Sequence, residues 1–176
     1  MASSNPVSIP AISKWIYNIK PKTILDVGCG FGRYGFLCRE ILEVWQLRYK
    51  KEEWKTKINA IEIFEPFITP MHEYLYDKIT IGDIRHMDIA DCDLIILGDI
   101  LEHLPKNDAI ALVRRLRKSA QWIIIQSPYG KMKQPAVFGN PAEEHLCELY
   151  PEDFNEYYGH VEINGNIFTI LIRGEL

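Results

Sequence analysis

Apolar residues are distributed along the chain in two patterns. Short dense runs rich in Ile, Leu and Val occupy residues 23–27, 58–63, 79–81, 92–97 and 122–126. Runs of this length are typical of parallel strands that helices cover on both faces. Between them, apolar residues recur every three or four positions, which is the period of an amphipathic helix. The alternation predicts an α/β fold, with a doubly wound, mostly parallel sheet that has helices on both faces.

Helical spacing marks several of the segments between the runs. The predicted helices are residues 10–20, 34–47, 67–76, 107–118 and 152–158. Pro21 follows the first of these segments and predicts its end. Residues 48–57 are charged and contain Tyr49 and Trp54, so we interpret them as either an insertion or an extension of the preceding helix.

The last third of the chain departs from the alternation. Residues 128–151 have no clear period but contain several aromatic residues, which predicts a long ordered loop. Because this loop follows the fifth strand, we expect it at the edge where open α/β sheets bind ligands. Residues 161–172 surround Asn164-Gly165-Asn166, a sequence typical of a hairpin turn. They predict an antiparallel strand pair that completes a seven-stranded sheet.

Composition limits the classes of protein that fit. With 176 residues, the chain suits a single domain over residues 1–176, and its net charge of −4 gives no overall attraction for nucleic acid. No apolar run approaches the roughly 20 residues of a membrane span, and the first residues lack the pattern of a secretory signal. We therefore expect a cytoplasmic protein. The four cysteines have no C-x-x-C spacing, which favours reduced thiols over disulfides or a zinc site.

The glycine-rich stretch after the first strand is the strongest signal for a ligand. Gly28, Gly30 and Gly32 follow Asp26 and open a predicted helix, an arrangement that lets the backbone turn sharply and approach a ligand closely. A dinucleotide-binding fingerprint requires G-x-G-x-x-G. Arg33 occupies the position of its third glycine, so the spacing argues against NAD.

Acidic residues follow later strands where a cofactor would lie. Glu62 is at the end of the second strand, where a carboxylate can accept hydrogen bonds from two neighbouring ribose hydroxyls. Glu65 is a nearby alternative, but it precedes Pro66 and better suits a helix start. Asp83 follows the third strand, and the stretch from Gly98 to Pro105 follows the fourth. The carboxyl ends of parallel strands bring these positions to one edge of the sheet.

In this order, the glycine turn, Glu62, Asp83, the stretch from Gly98 to Pro105 and the terminal hairpin resemble the motifs of the class I S-adenosylmethionine (SAM)-dependent methyltransferases. The resemblance covers residues 23–173. It implies a Rossmann-like methyltransferase fold and SAM as the cofactor, with Asp83 on the adenine amino group and Ile84 packed on the ring. For Asp83, a helix cap is the alternative. The cofactor contacts implied by the resemblance are Asp26, Gly28, Cys29, Gly30, Gly32, Glu62, Asp83, Ile84, Gly98 and Asp99.

The segment Leu101-Glu102-His103-Leu104-Pro105 resembles that of small-molecule methyltransferases, in which it lies beside the sulfonium and the acceptor. Methyltransferases that act on DNA amino groups usually carry Asp/Asn/Ser-Pro-Pro-aromatic at this place. Ser127-Pro128-Tyr129 follows the next strand and has a single proline. We therefore expect a small polar acceptor and not nucleic acid. An oxygen on a sugar or another metabolite is the leading hypothesis.

Methyl transfer to an oxygen usually needs a base that removes the proton of the acceptor. His103 and His145 are the candidates, because both lie on segments expected at the ligand edge and imidazole titrates near neutral pH. For His103, a structural hydrogen bond at a helix start is the alternative. The groups around Glu143 and Cys92 do not supply a convergent ligand set by spacing, so no metal is expected.

Two other functions stay open at this point. One is a NAD-dependent oxidoreductase, which the glycine spacing and the terminal hairpin oppose. The other is a SAM-binding regulatory or scaffold subunit without activity, because binding and turnover would use the same glycine turn. The sequence identifies neither the acceptor nor the oligomeric state, for which a homodimer is one option.

Overall fold

The computed structural model describes residues 3–176, apart from the side chain of Tyr158. Its strands are β1 (Thr23–Val27), β2 (Lys57–Glu62), β3 (Lys78–Ile81), β4 (Cys92–Gly98), β5 (Ala120–Pro128), β6 (Tyr158–Asn164) and β7 (Ile167–Arg173). They form one sheet in the order β3-β2-β1-β4-β5-β7-β6. Strands β1 to β5 pair in parallel, whereas β7 runs antiparallel to both β5 and β6. The predicted seven-stranded, doubly wound fold with its C-terminal hairpin is confirmed.

The α-helices are α1 (Ile9–Ile19), α2 (Arg33–Leu42), α3 (Pro70–Leu75) and α4 (Lys106–Leu116). α1 ends at Lys20, which has a left-handed conformation (φ 52°) and donates its N–H to the Ile16 carbonyl at 3.0 Å. Within residues 3–176, no helix combines the length and the apolar character that a membrane crossing requires.

Successive residues of the central strands face two different cores, which explains why these strands read as continuous apolar runs. Leu25 and Val27 pack in the cluster that includes Leu112 of α4. Ile24 packs on the opposite face, in the cluster that includes Trp15 of α1. Full burial of each such side chain stabilises the fold by about 1.5–3 kcal/mol. Helices on both faces therefore hold β1 and β4 at the centre of the sheet.

The order of strands reverses between β1 and β4. The chain proceeds outward from β1 to β2 and β3, and then returns to place β4 on the other side of β1. This reversal is the topological switch point at which open α/β sheets bind ligands. It brings the turn after β1 next to the loop after β4, so a ligand site is expected at their carboxyl ends.

Two helices are shorter than their sequence patterns predict. The helix predicted over residues 34–47 ends at Leu42, because Glu43 buries its side chain and accepts the N–H groups of Lys55 (3.0 Å) and Thr56 (2.6 Å). The helix predicted over residues 67–76 begins only at Pro70, a residue that lacks an N–H and suits the first turn of a helix.

Two further segments differ from a helical interpretation. Residues 152–158 are predicted as a helix, but the 3₁₀ turn Pro151–Phe154 ends within them and β6 begins at Tyr158. Residues 48–57 form an insertion with a 3₁₀ turn at Lys51–Glu53, not an extended helix. The long loop predicted over residues 128–151 is confirmed, with a 3₁₀ turn at Pro141–Glu143. All four cysteines are free thiols, as expected.

Candidate functional site

A cavity of about 750 Å³ lies at the carboxyl edge of the sheet. Most of its lining comes from the turn after β1, the end of β2, the loops after β3 and β4, and part of the loop between β5 and β6. Ser4 and Asn5 also line the cavity: the Ser4 hydroxyl donates to the Gly98 carbonyl (3.1 Å), and the Asn5 N–H donates to Asp99 Oδ2 (2.9 Å). A cavity of this volume suits a cofactor-sized ligand.

The glycine turn after β1 has a backbone that glycine adopts most readily. Gly28, Gly30 and Gly32 have φ values of 68°, 50° and 83°, in the left-handed region. A Cβ on Gly28 would also lie 2.0 Å from Cδ1 of Ile100 in the loop after β4. Gly28, Cys29 and Gly30 line the cavity. Gly32 is outside the cavity lining and is the N-cap of α2, so the cofactor contact expected there stays a prediction.

Glu62, at the end of β2, places its carboxylate against the glycine turn. Oε2 accepts the N–H of Gly30 at 3.1 Å, and Oε1 accepts the N–H of Phe64 at 3.0 Å. The residue is buried and lines the cavity. Oε2 also accepts the S–H of Cys29 at 3.9 Å. Because each carboxylate oxygen has two lone pairs, Oε1 keeps acceptor capacity for a ligand. The ribose contact expected for Glu62 stays a prediction.

Asp26 lies in the core beneath the turn, outside the cavity lining. Its Oδ2 accepts the hydroxyl of Tyr76 at 2.5 Å, and its Oδ1 has no hydrogen-bond partner among the described residues. Burial raises the pKa of Asp26 to about 7. The cofactor contact expected for Asp26 stays a prediction. In this structure its carboxyl bonds to Tyr76 and the residue is outside the cavity lining.

Asp83 and Ile84, which follow β3, both line the cavity. The Arg85 guanidinium donates to both oxygens of the Asp83 carboxylate, from Nη2 to Oδ2 at 2.6 Å and from Nε to Oδ1 at 3.1 Å. These hydrogen bonds hold the pKa of Asp83 below its usual range. Asp83 also caps the 3₁₀ turn Ile84–His86 by accepting the Arg85 N–H at 2.9 Å. Asp83 therefore has the capping role that was the alternative to an adenine contact. If it also bound adenine, its carboxylate would accept from both the adenine amino group and Arg85.

At Gly98 and Asp99 the backbone turns at the end of β4, and at Gly98 there is no space for a side chain. A Cβ on Gly98 would lie 2.1 Å from Cε2 of Tyr34, whose ring fills that space. Asp99 has a φ of 54°, which is uncommon for a residue other than glycine. Its Oδ2 accepts a side-chain N–H of Gln126 at 2.9 Å, whereas its buried Oδ1 has no partner among the described residues. Burial raises the pKa of Asp99. Strained backbone of this kind occurs most often at functional sites.

Glu102, in the loop after β4, is a buried acid to which the sequence pattern assigned no role. Its Oε2 accepts the Ser127 hydroxyl at 3.1 Å, and its Oε1 has no partner within residues 3–176. Burial, with the nearby Asp99 carboxylate, raises the pKa of Glu102 well above its usual range. The Glu102 carbonyl accepts the N–H groups of Leu146 (2.8 Å) and Cys147 (3.2 Å), so it fastens the long loop over the cavity.

His103 and His145 lie on different loops but come together in the cavity lining. Their ring centroids are 4.9 Å apart, and the rings are inclined at 70°. Nδ1 of His103 lies 3.1 Å from the Glu144 carbonyl oxygen, and Nδ1 of His145 lies 2.7 Å from that of Met132. A carbonyl only accepts, so in the neutral rings Nδ1 carries the proton and Nε2 has a free lone pair. Burial lowers the pKa of His103 and favours its neutral form.

Two further polar residues support the site, and the sequence pattern missed both. His72 is buried, accepts the Thr69 N–H at Nδ1 (3.1 Å) and donates from Nε2 to the Gly30 carbonyl (2.8 Å). Tyr34 donates its hydroxyl to Gln126 at 3.0 Å. Each has a polar group at a helical position that faces the core. A buried polar group requires a hydrogen-bond partner, so such positions could have indicated both residues as part of the site.

Comparison with known proteins was made by sequence and by structure. No family profile matches the chain. Among curated proteins, it is similar to a ubiquinone biosynthesis O-methyltransferase of Alkalilimnicola ehrlichii, with 24% identity over 156 residues. The match covers 87% of this chain, and the chain spans 60% of the length of that relative.

Solved structures with a similar fold have low sequence identity to this chain. The N-terminal domain of EvdMO1, crystallised in the presence of SAH and D-fucose, has a TM-score of 0.66 and 13% identity, covering 99% of this chain and 85% of its own. Magnesium protoporphyrin IX methyltransferase of Synechocystis, with bound SAH, also has a TM-score of 0.66 and 13% identity, covering 96% of this chain and 82% of its own. At this identity, the likeness establishes the fold.

Proposed function

We propose that this chain, which has the Rossmann-like fold of the class I SAM-dependent methyltransferases, binds SAM and transfers its methyl group to a small polar acceptor. The observation that carries the proposal is a single cavity that joins the glycine turn and Glu62 to the pair His103 and His145. When bound, SAM supplies an electrophilic methyl group. The residues of this chain bind the two reactants, exclude water and accept a proton.

The charges around the cavity suit SAM better than NAD, because acidic side chains outnumber basic ones. The acidic residues of the lining are Glu62, Asp83, Asp99, Glu102, Glu143 and Glu144, and the basic ones are Arg33 and Arg85. Glu62 already accepts the Gly30 N–H, a group of the kind with which a dinucleotide fold would hold a pyrophosphate. Asp99 adds a second acidic side chain to the lining near the same turn. SAM has a positive sulfonium close to a positive amino group, whereas the pyrophosphate of NAD is negative. Acidic groups therefore attract the first cofactor and repel the second.

The cofactor contacts follow from the lining residues. In our proposal, Glu62 accepts hydrogen bonds from the ribose hydroxyls, and Ile84 packs against the adenine ring. The turn from Gly28 to Gly30 holds the methionine end, because the absence of side chains on its glycines lets the backbone approach a ligand. Asp99 lies beside the corner where the methyl group would face the acceptor.

The two histidines provide the proton acceptor. An oxygen nucleophile loses its proton as it attacks, and a positioned imidazole typically accelerates such a step by about 10²–10⁴-fold. Nε2 of His103 and Nε2 of His145 have free lone pairs, because each Nδ1 is bonded to a backbone carbonyl. The loop fastened to Glu102 covers this region, which limits the access of water.

An oxygen is the acceptor atom that we favour, on a sugar or another small metabolite. The similar protein of Alkalilimnicola ehrlichii is named an O-methyltransferase, and the similar EvdMO1 domain was crystallised in the presence of D-fucose. The cavity contains imidazole and carboxylate groups that can hydrogen-bond hydroxyl groups.

Methyl-labelled SAM provides the test. The protein would be incubated with labelled SAM and, separately, free sugars, simple phenols and fractionated cell extract. We expect label in a hydroxyl-bearing acceptor, with one SAH formed for each methyl group transferred. A protein that binds SAM but labels none of these fractions would instead be a binding subunit, and the proposed activity would be rejected.

A further inference from the structure

Glu102, His103 and His145 form a compact group of potential metal ligands. One ligand atom from each residue lies within 4.8 Å of the other two. Atoms bound to one tetrahedral ion at about 2.1 Å are roughly 3.4 Å apart. Side-chain shifts on the order of 1 Å would therefore bring all three atoms into one coordination sphere. The sequence spacing could not show this group, because His145 comes from a different loop.

Both histidines are held in the manner of metal ligands. A histidine that binds a metal almost always donates its other ring N–H to a carbonyl, a carboxylate or water, which fixes the ring and its tautomer. Nδ1 of His103 lies at hydrogen-bond distance from the Glu144 carbonyl, and Nδ1 of His145 from that of Met132. Two rings from two loops are thus fixed with Nε2 left for another partner.

Glu102 supplies an independent indication. The residue is 2% exposed, and its Oε1 has no hydrogen-bond partner among the described residues. Its other oxygen accepts the Ser127 hydroxyl, which orients the carboxylate. A buried carboxylate oxygen without a partner is costly and requires an explanation, of which an ion is one. Asp99, in the same cavity lining, has an unpartnered buried oxygen as well.

We propose that Glu102, His103 and His145 bind a divalent transition-metal ion in the cavity. Two imidazoles with one carboxylate favour Zn²⁺, Mn²⁺, Fe²⁺ or Co²⁺ over Ca²⁺ and Mg²⁺, which prefer oxygen ligands. Three protein ligands leave at least one coordination position for another group. All three residues line the cavity, so that position is open to a small molecule.

The consequence for the reaction rests on the proposed function, whereas the binding of the ion does not. A hydroxyl group coordinated by such an ion has a lowered pKa. The acceptor hydroxyl would then release its proton to water, and its oxygen would form a bond to the methyl carbon. The carbon–sulfur bond of SAM breaks with its electron pair on sulfur, which yields SAH. With the ion bound, Nε2 of His103 and Nε2 of His145 would coordinate it. The ion would then activate the acceptor hydroxyl, a role that the proposed function assigns to the two imidazoles in the absence of an ion.

Cobalt(II) is the probe, because its visible absorption changes when imidazole and carboxylate replace water. We expect the wild-type protein to bind one Co²⁺ per chain in absorbance and calorimetric titrations. His103→Ala and His145→Ala should each weaken that binding at least 10-fold. Glu102→Gln, which keeps the shape of the buried side chain, should do the same. His160→Ala is the matched control, since His160 is exposed on β6, and it should leave Co²⁺ affinity unchanged.

Absence of saturable Co²⁺ binding in the wild type, or unchanged binding in both histidine variants, would overturn the metal site. Thermal unfolding checks the fold of each variant, and His145→Gln replaces His145→Ala if the smaller side chain disturbs the loop. SAM titrations separate the two proposals. Co²⁺ binding that depends on the three residues, in a protein that binds no SAM, would retain the metal site and reject the proposed function.

Discussion

The hydroxyl of Tyr76 donates to Asp26 Oδ2 at 2.5 Å, in the core beneath the glycine turn. Burial raises the pKa of this carboxyl to about 7, far above the value of about 3.9 expected in an unfolded chain. The Asp26 carboxyl therefore keeps its proton to a higher pH in the folded protein than in the unfolded chain.

Stability should consequently depend on pH through Asp26. Between about pH 4 and 7 the folded state binds more protons at this group than the unfolded state, so its contribution to the free energy of unfolding falls as pH rises. In the wild type, the free energy of unfolding should decline by on the order of 2 kcal/mol between pH 5 and 8 through this group. Asp26→Asn should remove that decline. Urea unfolding at the two pH values measures it.

The exposed Asp88 provides the control for that experiment. Asp88→Asn should retain the wild-type difference in stability between pH 5 and 8. If Asp26→Asn shows the same pH dependence as the wild type, the carboxyl does not titrate in the way that its burial indicates.

Gly28→Ala should disrupt the turn more than an alanine at another left-handed glycine. The new Cβ would lie 2.0 Å from Cδ1 of Ile100, in addition to the cost of the left-handed backbone at φ 68°. We expect SAM affinity to fall at least 10-fold. Gly165→Ala is the matched control, because Gly165 has a φ of 62° but nothing lies within 4 Å of its Cβ position.

Calorimetric titration with SAM measures both glycine variants. Gly165→Ala should lose stability by about 1 kcal/mol from backbone strain and keep wild-type SAM affinity. Equal SAM affinity in the two variants would show that the approach of Gly28 to Ile100 does not shape the cofactor site.

Glu62→Gln tests the ribose contact. The substitution keeps the size of the side chain but replaces one acceptor oxygen with an N–H₂ group, which cannot accept from Gly30 or from a ribose hydroxyl. We expect SAM to bind about 10-fold to 100-fold more weakly, equivalent to roughly 1.4–2.7 kcal/mol. Glu65→Gln changes the same residue type at an exposed position nearby and should have no effect.

His103→Ala and His145→Ala test the chemical step. Each change should lower turnover at saturating SAM at least 10-fold, whether the imidazole accepts a proton or holds an ion. SAM affinity should change by less than threefold, because the contacts proposed for the cofactor lie on other segments. Single-turnover assays with labelled SAM separate binding from transfer, and wild-type rates in both variants would exclude the two histidines from the reaction.

The doubly wound, mostly parallel sheet and its terminal hairpin could be predicted from the sequence, for physical reasons. Continuous apolar runs such as Leu94 to Leu97 require cover on both faces, and that requirement defines a parallel sheet with helices on each side. Two helix boundaries, the end of α2 and the start of α3, could not be predicted. Glu43 ends α2 through bonds to Lys55 and Thr56, and such a contact between separate segments leaves no periodic signal.

Some residues of the site could likewise be predicted from the sequence, and others could not. Glu62 follows from its position at a strand end, but the orientation of Asp26 does not, because both faces of β1 are buried and the apolar pattern does not distinguish them. The meeting of His103 with His145 depends on the path of a long irregular loop. The role of Glu102 could not be predicted either, because its burial beside Ser127 depends on how the loop after β4 packs against β5.

Calorimetric titration of the wild-type protein with SAM, SAH and NAD tests the central claim most directly. We predict that SAM and SAH each bind at one site with a dissociation constant on the order of micromolar, or roughly −8 kcal/mol. NAD should show no binding at the same concentrations, because the Glu62 carboxylate already accepts the N–H of Gly30 and would repel a pyrophosphate at the glycine turn. Tight binding of NAD without binding of SAM or SAH would contradict the proposed function.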